Sequence, residues 1–151
     1  MSFVHEKAVV LGRVALGEGS SVWPGAVIRG DEGEICIGKK VSVQDNCVIH
    51  GSGVSIGDNV TIGHGAIVHG AKIGSNVLIG MAAIVLDKAE IGDWCLVGAG
   101  ALVPPGKKLE SGVWLGAPAK RVRELTSEDR ELITRQVDEY QKHLRGKNIK
   151  D

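Results

Sequence analysis

The stretch Ile56-Gly57-Asp58-Asn59-Val60-Thr61-Ile62-Gly63-His64-Gly65-Ala66-Ile67-Val68-His69 decides how this chain folds. Ile56, Ile62 and Val68 stand six residues apart, and six is a multiple of the strand period of two. Every marked residue therefore faces the same side of a short strand, whereas the spacing does not fit an α-helix. Working outward, Ile37, Val43 and Ile49 precede this group; Ile73, Ile79 and Val85, then Ile91, Val97 and Val103, follow it. Upstream, Val4, Val10, Leu16, Val22 and Ile28 keep the step. Between groups the spacing slips to seven, five and six, and to nine between Ile28 and Ile37. A slip at every third repeat predicts coils of three hexapeptides, stacked about 4.8 Å apart as a triangular prism of parallel strands.

A glycine often follows the marked aliphatic, as at Gly38, Gly57, Gly63, Gly74, Gly80 and Gly92, where it is expected to supply positive φ at a corner. Gly makes up 22 of the 151 residues while aromatics are 3%, which suits a narrow core with many tight turns. Cys36, Cys47 and Cys95 are odd in number and lack CxxC spacing, so they are read as small buried residues. The prism is predicted over about residues 4–105, ending where Pro104-Pro105-Gly106 breaks the ladder. A connector, Gly116-Ala117-Pro118-Ala119, leads to an α-helix over about 126–144. Thr126 and Asp129 form a capping-box start to that helix, and Leu132, Ile133, Val137, Tyr140 and Leu144 make its apolar stripe. Residues 146–151 are expected to fray. One domain, 1–151, is the expectation.

Lys plus Arg equals Asp plus Glu at 18 each, so no net field favours nucleic acid or an anionic membrane. No apolar run approaches a membrane span and no signal-peptide pattern opens the chain. These features predict a cytoplasmic protein acting on a small neutral substrate or a protein partner.

Once the register is set, the histidines fall into columns. His50 follows Ile49 and His69 follows Val68, one coil apart; Arg29, after Ile28, stands in the same column a coil earlier. His64 lies two places after Ile62, at another corner, with Asp45 its neighbour one coil away. Ligands of a tetrahedral zinc must converge within roughly 3.5 Å of one another. A strand of about four residues, on the order of 13 Å, separates His64 from the other pair. A second copy rotated about a three-fold axis would bring its His64 to the first copy's His50 and His69, predicting a homotrimer with three interfacial sites. His5 and His143 fall outside this set and are read as surface residues. Arg29 and Asp31 could equally form a solvated turn or an interface ion pair, and Gln44 and Asp45 could merely cap a corner.

The stretch Trp23-Pro24-Gly25-Ala26-Val27-Ile28-Arg29-Gly30-Asp31, with Val43-Gln44-Asp45-Asn46, His50, Gly63-His64 and His69, resembles the γ-class carbonic anhydrases over nearly the whole chain. That resemblance implies an all-β, left-handed parallel β-helix with a C-terminal helix, trimeric and metal-dependent. It implies His50, His64 and His69 as metal ligands, with Gln44 orienting hydroxide or substrate and Arg29, Asp31 and Asp45 forming an intersubunit network. Glu32 matches an acidic position used in proton transfer, and Tyr140 a site-lining tyrosine. The implied reaction is reversible hydration of CO2 to bicarbonate by hydroxide on a cation held by three histidines, as carbonic anhydrases themselves illustrate. Zinc is the default and Fe2+ or Co2+ would also suit three imidazoles. The sequence departs from the archetype twice. Only Gly51-Ser52-Gly53 follows His50, where the archetype has a longer acidic loop, and Ser42 replaces an asparagine. Other readings stay open on the same scaffold: a relative acting on another substrate such as a thioester, an acyl-CoA-dependent transferase, and a non-catalytic scaffold subunit.

Overall fold

A computed structural model describes residues 1–146. From residue 147 on, the expected frayed tail lies outside the described residues. The chain winds as a parallel β-helix with three flat faces. The first face stacks Phe3–Val4, Ser21–Val22, Ser42–Val43, Val60–Ile62, Val77–Ile79, Cys95–Val97 and Gly112–Leu115. The second begins with the front halves of two long strands, Val9–Leu16 and Val27–Ile37, and continues through Val48–His50, Ile67–His69, Ile84–Val85 and Leu102–Val103. The third takes the back halves of those long strands, then Val54–Ile56, Lys72–Ile73, Glu90–Ile91 and Lys108–Leu109. Equivalent positions pair in register, as in Val43 with Ile62, Ile62 with Ile79 and Ile79 with Val97.

The hexapeptide pattern becomes the core directly. Ile28, Ile49, Val68, Val85 and Val103 are fully buried on the second face, and two places before each stands Ala26, Cys47, Ala66, Ala83 or Ala101, also buried. The small residue fits where the prism narrows towards its corner. Cys47 and Cys95 occupy such inward slots as expected, and burial pushes both thiols up to about 11. Cys36 does not: it lies between inward Ile35 and Ile37, so strand alternation turns it to solvent. Val4, at the unstacked first coil, is exposed despite keeping the step.

The glycines after the marked aliphatics serve a different purpose from the one expected. Positive φ falls two residues later, at Lys40, Asn59, Gly65, Asn76, Ala82 and Trp94. The earlier glycines are there because coils nearly touch at the corners. A Cβ on Gly57 would lie 2.5 Å from Ser75 Oγ and 2.8 Å from the Gly74 backbone, and one on Gly80 would lie 2.5 Å from the Ala99 nitrogen.

The ladder also runs further than predicted. Pro104-Pro105-Gly106 is one more corner, and Lys108–Leu109 and Gly112–Leu115 pair in parallel with the coil below. Proline is tolerated there because Leu102–Val103 is the last strand of its face, so no further coil waits for the N–H that Leu86, at the same corner one coil earlier, gives to Val103. The stack ends instead at Lys120–Arg123, which pairs antiparallel with Gly112–Leu115. The helix α1, Ser127–Arg145, starts on the expected capping box at Thr126 and Asp129. It runs back along the first face, burying Ile133 and Val137. Its far end is fixed where Gln141 Nε2 donates to the Gly19 carbonyl at 2.7 Å. No helix of the described residues is long and apolar enough to cross a membrane.

Candidate metal centre

Two corners of the prism carry the polar residues singled out in the sequence. At the corner after the second face, His50 and His69 are register partners, and their rings pack edge-on with centroids 5.3 Å apart. The Asp31 carboxylate faces His50 Nε2 at 3.1 Å with one oxygen and accepts from Arg29 Nη1 at 3.3 Å with the other. Glu32 stands 3.9 Å from the same His50 nitrogen. Burial alone would raise the Asp31 pKa, but its backbone hydrogen bond, Arg29 and His50 together hold it below its ordinary value. These residues lie where Val27–Ile37 turns the corner, which is the nine-residue slip of the sequence. Gly30 is required there, since a Cβ would sit 2.3 Å from the Arg13 carbonyl oxygen.

The other corner joins the first and second faces. His64 Nδ1 lies 3.0 Å from Asp45 Oδ1. Gln44 is 4% exposed, and its Nε2 has only a long contact, 3.4 Å, to Ser42 Oγ. Tyr140 of α1 completes this side, packed edge-on against Trp23 and His143 with ring centroids 5.2 Å from each. Burial, then Asp45, Cys47 and Glu139, push its phenol up to about 12, so it keeps its proton and can donate.

The structure thus brings Arg29, Asp31, Glu32, His50 and His69 together at one corner, and Gln44, Asp45, His64 and Tyr140 at the other. It does not bring all three histidines together: among the described residues of a single chain, no three His, Cys, Asp or Glu side chains could hold a metal. The donor chemistry nevertheless fits a divalent cation. His64 and His69 are each engaged at Nδ1 by a carboxylate, the support that orients imidazole ligands and leaves Nε2 to bind. His50 and His69 already stand side by side.

Asp87 was not anticipated from the sequence. It sits 2.6 Å from His69 Nδ1, and with Glu32 and Lys88 it lines a cleft of about 600 Å³ beside that histidine. Its signal was available, for it follows Val85 by two places as Asp45 follows Val43. His5, read as a surface residue, is buried and accepts from the Lys7 N–H at 3.1 Å. Phe3 covers it at the open end of the prism.

Repeat, register and histidine-bearing corners define a hexapeptide β-helix protein with a candidate metal site. The family described as bacterial transferase hexapeptide (six repeats) matches residues 70–105. Protein YrdA of Escherichia coli (strain K12) is 38% identical over 150 residues, covering 92% of this chain and 82% of that protein. Gamma carbonic anhydrase 1, mitochondrial, of Arabidopsis thaliana is 40% identical over 149 residues, 92% of this chain. The chain spans about half the length of the plant relatives, 53% and 54% of the two matched. A solved structure of a putative acetyltransferase from Bacillus cereus superposes with a TM-score of 0.86 at 41% identity, covering 94% of this chain and 88% of that one. The chain belongs to the γ-carbonic-anhydrase-like family of hexapeptide-repeat proteins.

Proposed function

We propose that this protein is a zinc-dependent hydratase converting CO2 and bicarbonate at the interfaces of a homotrimer. The observation that carries the reading is the separation of the histidines. Two stand in register at one corner, and the third stands at the neighbouring corner of the same prism. Each corner is incomplete alone, and a three-fold operation joins unlike corners of adjacent copies.

His50 and His69 of one copy and His64 of the next would hold the cation; zinc suits three imidazoles with an open position, and Fe2+ or Co2+ share that donor preference. What a bound divalent cation supplies is the acidification of water towards neutral pH. Asp31, Asp87 and Asp45 fix the three rings in orientation. The Gln44 amide, buried and without a close partner, is free to orient hydroxide or a CO2 oxygen. Tyr140, which retains its proton, lines the same wall. Glu32, exposed beside His50, accepts the proton released and passes it to solvent, which replaces the absent acidic loop. The Arg29–Asp31 pair ties the His50 corner together where a neighbouring copy would meet it.

The direct test is zinc content and CO2 hydration measured on one purified sample. One zinc per chain with hydration that follows the zinc content is expected. A zinc-replete trimer without hydration would overturn the reading.

A further inference from the structure

We propose that the groove between α1 and the first face binds the aliphatic chain of a neutral, linear acyl compound, an ester, thioester or amide, with its carbonyl at Thr61 and Gln44 beside His64. The proposal rests on reading the His64 corner as part of a reaction centre and names a substrate class for it.

The outward column of the first face changes character along the prism. Ser42 pairs with Thr61, Thr61 with Leu78, and Leu78 with Leu96, so hydroxyls give way to leucines under one helix. Beside this column lies a groove of about 520 Å³, within the range of small-molecule sites. Leu78 and Leu96 form its floor, Leu132 of α1 forms a wall, and Met81, held 57% exposed, forms the rim. From Thr61 to Leu96 it spans two coil spacings, roughly 10 Å. The groove is therefore apolar at one end and opens at the other towards Gln44, His64 and Tyr140.

Its polar end holds an unexplained group. Thr61 Oγ1 is buried and has no hydrogen-bond partner, and the residue is 3% exposed. An unpaired buried hydroxyl is costly, and a ligand oxygen accepting from it removes that cost. Gln44 Nε2 stands ready as a second donor. The oxygen they receive belongs to a neutral carbonyl: Asp45 and Glu139 flank this end, and no lysine or arginine of the described residues lines the groove. An electrophilic carbonyl carbon so placed lies next to His64. If water attacks that carbon, the bond to the alcohol, thiol or amine breaks, giving the carboxylic acid and the protonated leaving group.

The test is binding of acetamide, butanamide and hexanamide to the full protein, which separates recognition from turnover. Affinity should rise about fourfold for each added methylene. To the metal-stripped protein, hexanoate should bind roughly tenfold more weakly than hexanamide, since Asp45 and Glu139 flank the polar end and no lysine or arginine of the described residues lines it. Thr61→Val should weaken all three amides alike, by roughly tenfold. Leu78→Glu and, as an independent variant, Leu96→Glu should erase the chain-length dependence while leaving zinc content and CO2 hydration unchanged. Affinities independent of chain length, or chain-length dependence surviving in both folded glutamate variants, would overturn the proposal. Chain-length-dependent binding by a protein that neither holds zinc nor hydrates CO2 would leave the groove standing and remove the hydratase reading. Zinc-dependent hydration without chain-length dependence would do the reverse.

Discussion

Gln44 concentrates the residue-scale argument. It follows Val43 in the repeat, so the alternation that buries Val43 brings Gln44 to the corner beside His64. Its amide is buried yet weakly bonded, an arrangement that keeps a donor in position for something outside the chain. Gln44→Ala is expected to lower kcat for CO2 hydration by roughly a hundredfold, the scale of losing one fixed donor to developing charge. Zinc content should stay unchanged, because the amide is not a ligand. Equal loss of zinc and rate, measured by metal analysis alongside kinetics, would move Gln44 to a supporting role. Residues at this scale were legible in the sequence where the six-residue register fixed their direction, as for His50, His69 and Cys47. They were obscure where direction depends on what covers them. His5 is buried at the open end, where the Phe3 ring lies edge-on to it, whereas the outward turn of Cys36 follows from its place beside inward Ile37. Ser42, the departure from the archetype, is a buried hydroxyl accepting from Gln44 and not a group presented to the site.

Among the elements, α1 depends most on a few contacts. Thr126 and Asp129 cap each other reciprocally: the Thr126 hydroxyl accepts from the Asp129 N–H at 3.2 Å, and Asp129 accepts from the Thr126 N–H at 2.8 Å. Arg123 donates to both Asp129 oxygens, joining the helix start to the last strand of the ladder. Thr126→Ala should cost about 1 kcal/mol of stability, read as a lower denaturant midpoint. The Arg123 hydrogen bond, followed by the Thr126 backbone N–H, outweighs burial and holds the Asp129 carboxyl well below the usual carboxylate range. A carboxyl whose pKa is depressed on folding contributes stability above its unfolded pKa, near about 3.9, and that contribution drains away as pH falls towards the folded value. Helix docking should therefore weaken below about pH 4, read from Trp94 fluorescence, since Arg130 lies 4.7 Å over that ring. Asp129→Asn should flatten this acid dependence. The helix was legible because capping residues and a three-and-four stripe are local signals. The strands beyond Val103 were not, for Pro104-Pro105 reads locally as a stop although it stands on an edge with no further coil to receive an N–H.

For the whole molecule, the separated histidine corners make assembly testable. His50→Ala and His64→Ala trimers should each be inactive, because every interface lacks one ligand. Refolded together in equal amounts, they should recover roughly a quarter of wild-type activity and zinc, the chance that an intact His50 corner meets an intact His64 corner in a closed ring. Mixed trimers confirmed by mass spectrometry and still inactive would show that no interface completes a site. Chelation should abolish hydration while far-UV circular dichroism keeps its strand signal, since the buried ladder makes no use of the corner imidazoles. The repeat made the prism legible from sequence, whereas the groove under α1 was not, because it arises from a helix laid against residues distant in the chain. A last consequence follows from Lys120–Arg123. A parallel ladder has no intrinsic length and offers its terminal rung as a template to any further strand. Here the final rung runs backwards and bears Lys120, Arg121 and Arg123, all exposed. That reversal gives the first face a last edge whose direction a further parallel coil cannot continue, so this face acts as its own chain terminator against growth of the ladder.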